Sequence, residues 1–98
     1  MVKTLVLISD TDENGIKIAS SPEAKDIAVC LMQNAVYLSA KGKKLLDTLI
    51  SQKKQIYAIE NDVNLRGLNK NLIYPEVKLI NYSEVIDLVL EHENIINF

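Results

Sequence analysis

Four short apolar runs constrain this chain more than any other feature: Thr4-Leu5-Val6-Leu7-Ile8, Ile27-Ala28-Val29-Cys30-Leu31-Met32, Gln55-Ile56-Tyr57-Ala58-Ile59 and Val77-Lys78-Leu79-Ile80. Their apolarity is continuous where that of a half-exposed strand would alternate. A strand needs this only when both faces of its sheet are covered, as in a parallel sheet with helical crossovers. The segments between the runs are long enough for such crossovers. The predicted order is βαβαβαβα, a small three-layer α/β sandwich with a mainly parallel four-stranded sheet and right-handed connections.

The helical segments differ in clarity. From Ala35 to about Ser51, Leu38, Leu45, Leu46, Leu49 and Ile50 recur near helical spacing, with Gly42 as a weak point that breaks or kinks the run. The last helix is sharper. Asn81 or Ser83 caps it, with Glu84 placed for a capping box. Val85, Ile86, Leu88, Val89 and Leu90 form its apolar face, and Glu84, Asp87 and Glu91 point outward. Between the first two runs, Asp10 to Gly15 reads as a loop and Pro22 as the opening of a short helical turn.

Ninety-eight residues make a single domain, residues 1–98, with no repeat, linker or low-complexity tract. A net charge of −2 argues against a nucleic-acid surface. Lys41, Lys43, Lys44, Lys53 and Lys54 do cluster, but as a solvated face. Met1-Val2-Lys3 opens onto a strand without a leader pattern, and no apolar run reaches the ~18 residues of a membrane span. The single Cys30 cannot form an internal disulfide, which fits a reducing compartment. Together these features predict a soluble, cytoplasmic protein.

Chemistry-bearing residues gather after the second and third strands. In an open α/β sheet, ligands and partners meet the protein at the carboxyl ends of the strands. Gln33 and Asn34 follow one strand, and Glu60, Asn61 and Asp62 follow the next, so all five belong to one edge. The simplest reading makes Asn34 and Asp62 helix N-caps, which leaves partner contacts open. Arg66 and Gly67 close a helical turn, with Gly67 left-handed and Arg66 within reach of Asp62 at i, i+4. No glycine-rich phosphate loop is present, and one Cys and one His give no metal-ligand spacing, so no cofactor is predicted. His92 reads as a surface residue near a helix C-terminus. Cys30 sits between Val29 and Leu31 in the most apolar run, a setting for a structural cysteine more than for a reactive one.

Taken together, the segments "LMQNAVYLSAKG", "IYAIENDVNLRGL" and "VKLINYSEVIDLVLEHENIINF" resemble the DsrH/TusB family of small sulfur-relay proteins. Gln33, Asn34, Ala35 and Val36 match its Gln-(Asp/Asn)-(Gly/Ala)-Val turn. Tyr57, Ala58, Ile59, Asp62, Arg66 and Gly67 match its third-strand signature, and Tyr82, Ser83 and the terminal Phe98 its last helix and C-terminus. The likeness runs from about Asp26 to Phe98.

That resemblance implies a DsrE-like fold and a place in persulfide transfer. The outcome would be thiolation of a tRNA wobble uridine or dissimilatory sulfur metabolism. It also implies partners: DsrE/DsrF-like (TusC/TusD-like) paralogues, or this chain itself as a homo-oligomer, with no direct nucleic-acid or membrane contact. In the family the sulfur-carrying cysteine belongs to partner subunits. Some H-type members carry one between the first two strands, where this chain has none from Asp10 to Lys25. Three functional readings follow. One is a non-catalytic docking subunit using Gln33, Asn34, Glu60, Asn61, Asp62, Arg66, Tyr82 and Phe98, with Ile95 and Ile96 as further anchors. A second is a sulfurtransferase carrying persulfide on Cys30. The third is an unrelated ligand-binding module on the same fold.

Overall fold

The computed structural model describes residues 3–98; Met1 and Val2, on which the expectation of an opening without a leader pattern partly rests, lie outside the described residues. Among the described residues, five strands form one sheet: β1 (Thr4–Ile8), β2 (Ile27–Leu31), β3 (Gln55–Ile59), β4 (Lys78–Ile80) and β5 (Asn94–Asn97). Their order is β4-β3-β2-β1-β5, and every pairing is parallel. The four expected strands are therefore joined by a fifth, which extends the predicted sheet. β5 pairs with β1 in the register Leu5↔Ile95 and Val6↔Ile96. Two isoleucines between asparagines form too short an apolar run to mark a strand. What recruits them is the hydrogen-bonding edge of β1 that would otherwise stay open.

The helices are α1 (Asn14–Ala19), α2 (Asp47–Ser51), α3 (Glu60–Leu65) and α4 (Tyr82–Glu91). β1 to β4 step across the sheet in one direction, whereas the β4–β5 connection steps back past them. Right-handed crossovers then place α1, α2 and α3 on one face and α4 on the other. The two cores agree with this. Val6, Ile8, Val29, Leu31, Ile56 and Ala58 pack on the three-helix face with Ile16, Leu46, Leu49 and Val63. Leu5, Ala28, Cys30, Ile59 and Ile80 pack on the face of α4 with Leu88. Burial of both faces is what the continuous apolar runs require.

The segment between β1 and β2 differs from expectation. The helix forms at Asn14–Ala19, inside and just after the expected loop, and Pro22 lies in a turn closed by Ala24 N–H to Ser21 O at 3.0 Å. Gly15 permits the early helix. A Cβ there would stand 2.8 Å from Ile8 Cδ1 and 3.1 Å from Phe98 Cδ2, so any larger residue would force these side chains to shift.

The run from Ala35 to Ser51 is also divided: 3₁₀ segments at Gln33–Ser39 and Lys41–Lys43 precede α2. The breaks flank Gly42, at an extended Ala40 and a left-handed Lys44. Ala40 forms an antiparallel bridge with Ile73, and Lys41 N–H donates to Leu72 O. This tertiary pairing outcompetes a continuous helix. In the lysine cluster, Lys41, Lys44 and Lys53 are solvated, while Lys54 is half-buried and its ammonium donates to the carbonyls of Ala19 and Ser21.

Candidate functional site

β2, β3 and β4 end on one edge, and a buried carboxylate ties those ends together. Asp62 lies in the first turn of α3, directly after β3, and is only 4% exposed. Its Oδ2 accepts from the Gln33 main-chain N–H at 2.8 Å, at the end of β2. Its Oδ1 accepts from the Tyr82 hydroxyl at 2.9 Å, at the start of α4 beyond β4. Arg66 Nη1 lies 3.7 Å from Oδ1 and donates to the Asp62 carbonyl at 3.3 Å, while Arg66 Nε donates to Asn34 Oδ1 at 3.0 Å. A buried carboxylate of this kind needs such donors, since burial without them is costly.

Gln33, Asn34, Asp62, Arg66 and Tyr82 are thus brought together. The capping roles expected for Asn34 and Asp62 take another form. The capping positions ahead of their helical segments are Met32 and Ile59, and neither caps through its side chain. Asp62 instead satisfies an amide at the start of a different segment, and Asn34 holds the Arg66 guanidinium. Sequence spacing has no signal for capping across 29 residues. Gly67 is left-handed at φ +70°, as expected. Glu60 and Asn61 are exposed on the same edge.

Phe98 lies apart, at the β1–β5 end. Its ring packs over Gly15, and its carbonyl accepts from Ser9 N–H at 2.9 Å. Ile95 and Ile96 are strand residues there, each 36% exposed. His92 closes α4, with Nδ1 2.6 Å from the Leu88 carbonyl oxygen.

Gln33 adds a feature the residue types did not signal. Its backbone is left-handed at φ +50°, a conformation that costs a non-glycine residue about 1 kcal/mol or more and is found disproportionately at functional sites.

Cys30 points to the α4 face and is fully buried among Leu5, Ala28, Ile59, Ile80 and Leu88. Burial, and after it the negative charge of Asp62, pushes its thiol up to about 12. The Tyr82 phenol is also raised, first by its hydrogen bond to Asp62 and then by desolvation, with Arg66 opposing. Among the described residues no group of three or more His, Cys, Asp or Glu is placed to hold a metal ion. A cleft of about 630 Å³ opens at the opposite end of the sheet, around Lys25, Asp26, Gln52 and Lys53, and shares no residue with the strand-end cluster. No described helix is long and apolar enough to cross a membrane.

Fold and site define a class: a small parallel α/β protein with a hydrogen-bonded polar strand-end edge and its single thiol sealed beneath a helix. Comparison with known proteins narrows this. Residues 8–95 match the family model described as DsrH like protein. Protein TusB of Buchnera aphidicola subsp. Baizongia pistaciae (strain Bp) is 28% identical over 89 residues, 91% of this chain and 92% of the relative. Protein TusB of Buchnera aphidicola subsp. Acyrthosiphon pisum (strain 5A) is 30% identical over 87 residues, 89% of this chain and 90% of the relative. The crystal structure of the ychN protein from E. coli superposes over 100% of both chains with a TM-score of 0.86 and 18% identity, a likeness of fold. The chain belongs to the DsrH family, whose members are sulfur-relay subunits.

Proposed function

We propose that this chain is the docking subunit of a persulfide relay and does not itself carry the sulfur. In this reading it serves a complex with DsrE/DsrF-like paralogues, and the relayed sulfur ends in thiolation of a tRNA wobble uridine. Membership of the DsrH family and the two TusB relatives support the pathway. Dissimilatory sulfur metabolism is the other outcome open to such a complex.

The observation that carries the docking role is the state of Cys30. Accepting a sulfane sulfur requires a thiolate that can reach the donor. Cys30 is 0% exposed, and with a pKa of about 12 only about one molecule in 10⁵ is ionised at pH 7. Burial limits access further. The polar edge supplies the alternative role: Gln33, Asn34, Asp62, Arg66 and Tyr82 form a hydrogen-bonded platform, with Glu60 and Asn61 exposed beside it, on which a carrier subunit rests. Phe98 braces the far end of the sheet.

Iodoacetamide tests this reading. Cys30 is expected to stay unlabelled in the native protein and to label rapidly once urea unfolds it. Native labelling as fast as that of the unfolded chain would favour a sulfurtransferase working through Cys30.

A further inference from the structure

The cleft of about 630 Å³ lies where β2 and β3 begin, at the end of the sheet away from the polar edge. Its wall is tied in place by two residues that follow α2. Gln52 Nε2 donates to the Ser20 carbonyl at 2.8 Å, and the Lys54 ammonium donates to the carbonyls of Ala19 and Ser21. Those three carbonyls close α1. With donors already on them, the partial negative charge that a helix end would turn on the cleft is blunted.

Lys25, Lys53 and Lys54 line the cleft against a single carboxylate, Asp26. A second cleft of about 280 Å³ adjoins it through Asp26, Ile27 and Gln55, and adds Lys3 and Glu91. Three ammoniums against one carboxylate, or four against two, leave a surplus of two positive charges on a chain whose net charge is −2. Concave walls concentrate such a potential. The backbone adds a second observation. Lys53 at φ +58° and Asp26 at φ +52° are both left-handed and both line the cleft. Lys53 follows the C-cap of α2, where glycine is favoured, so a lysine there costs stability and sets a cation on the rim. Backbone strain of this kind gathers at ligand-binding sites. In the same wall, Gln52 Oε1 is closed from solvent and accepts no hydrogen bond.

The lining selects the ligand. A surplus of two positive charges matches a phosphate monoester, which carries about −1.5 to −2 at pH 7. Ammoniums receive phosphate as point charges, whereas forked recognition of a carboxylate falls to arginine, and among the described residues none lines the cleft. No aromatic ring lines the larger cleft either, so a nucleobase has nothing to stack on. What remains is two glutamine amides, suited to hydroxyl groups, and the small apolar side chains of Pro22, Ala24 and Ile27. The volume falls within the roughly 300–1,000 Å³ of small-molecule sites. We propose that this cleft binds a small phosphorylated polyol, with its phosphate between Lys25 and Lys53 and its hydroxyls on the amides of Gln52 and Gln55. The site shares no residue with the docking edge, so it stands or falls separately from the state of Cys30.

The probe is glucose 6-phosphate, titrated into the full chain and followed by amide NMR. It is expected to shift the amides of Lys25, Asp26, Lys53 and Gln55 to saturation, with a dissociation constant in about the millimolar range, and to weaken as salt rises. Glucose should leave them unmoved. Inorganic phosphate, which lacks the hydroxyl contacts, should bind several-fold more weakly. Lys25→Ala and Lys53→Gly should each weaken the sugar phosphate by about threefold or more. Lys53→Gly should do so without lowering the melting temperature, since glycine takes the left-handed φ freely. Unchanged affinity in Lys53→Gly would overturn the proposal and leave that lysine as a solvated helix end. So would inorganic phosphate binding as tightly, the absence of any saturable shift, or displacement of the sugar phosphate by a single-stranded RNA oligonucleotide.

Discussion

The Tyr82 hydroxyl donates to Asp62 at 2.9 Å, and through that bond the start of α4 is fastened to the end of β3. The other oxygen of the carboxylate holds the Gln33 amide, so three strand ends depend on one side chain. Tyr82→Phe removes one bond from a half-exposed phenol and is expected to cost about 1 kcal/mol. Asp62→Ala strands the Gln33 amide as well and should cost about 3 kcal/mol. Urea midpoints of the two single variants and the double variant measure this. The cycle should close with a coupling of about 1 kcal/mol, and strict additivity would show that the bond contributes nothing.

Gly15→Ala is expected to destabilise by about 1–3 kcal/mol, because the added methyl meets Ile8 Cδ1 at 2.8 Å. Ile8→Val deletes that atom. In an Ile8→Val background the alanine should therefore cost markedly less, although the ring of Phe98 remains close. Equal costs in both backgrounds would place the strain elsewhere.

Asn81 Oδ1 accepts from Glu84 N–H at 2.9 Å, and the Asn81 main-chain N–H donates to Glu84 Oε1 at 3.2 Å. Asn81→Ala should lower stability by about 1 kcal/mol. Glu84→Gln, which keeps an acceptor, should cost less. Thermal unfolding of both variants reads the difference.

Alkaline pH gives a separate signature of the buried thiol. Cys30 rises from 9.0 to about 12 on folding, so the native state keeps its proton where the unfolded chain has lost it. Its contribution is full below pH 9 and is lost as pH climbs towards 12, three units worth on the order of 4 kcal/mol at ~1.4 each. Tyr57, Tyr74 and Tyr82 are also raised and steepen the fall above pH 10. Lys54 is lowered by burial and opposes the fall below 10.5. Subtracting the profile of Cys30→Ala isolates the thiol. Parallel profiles for the native chain and the variant between pH 9 and 10 would contradict its burial.

The strands that sequence makes legible are those whose burial is local and two-sided: β1 and β3 match their apolar runs, and β2 and β4 each differ by one residue. The capping box of α4 is legible because Asn81 and Glu84 sit three residues apart on a continuous helix. β5 is not, because Asn94–Asn97 becomes a strand only by pairing with β1, some ninety residues earlier. α1 hides for a related reason, since Gly15 reads as a turn residue until Ile8 and Phe98 are packed around it. At the site, the residue types along the polar edge were readable from their strand ends. The connections among them were not, because Asp62 spends its carboxylate on Gln33 and Tyr82, each 20 or more residues away. Ile86 and Leu90, expected on the apolar face of α4, are instead exposed, beside the buried Leu88.

Incubating the folded protein with cysteine and a cysteine desulfurase, then measuring its intact mass without denaturation, bears most directly on the claim that this subunit supports the relay without carrying its cargo. The unmodified mass is expected, even when a paralogous carrier in the same mixture gains sulfur. A gain of one sulfur atom that peptide mapping assigns to Cys30 would contradict the account.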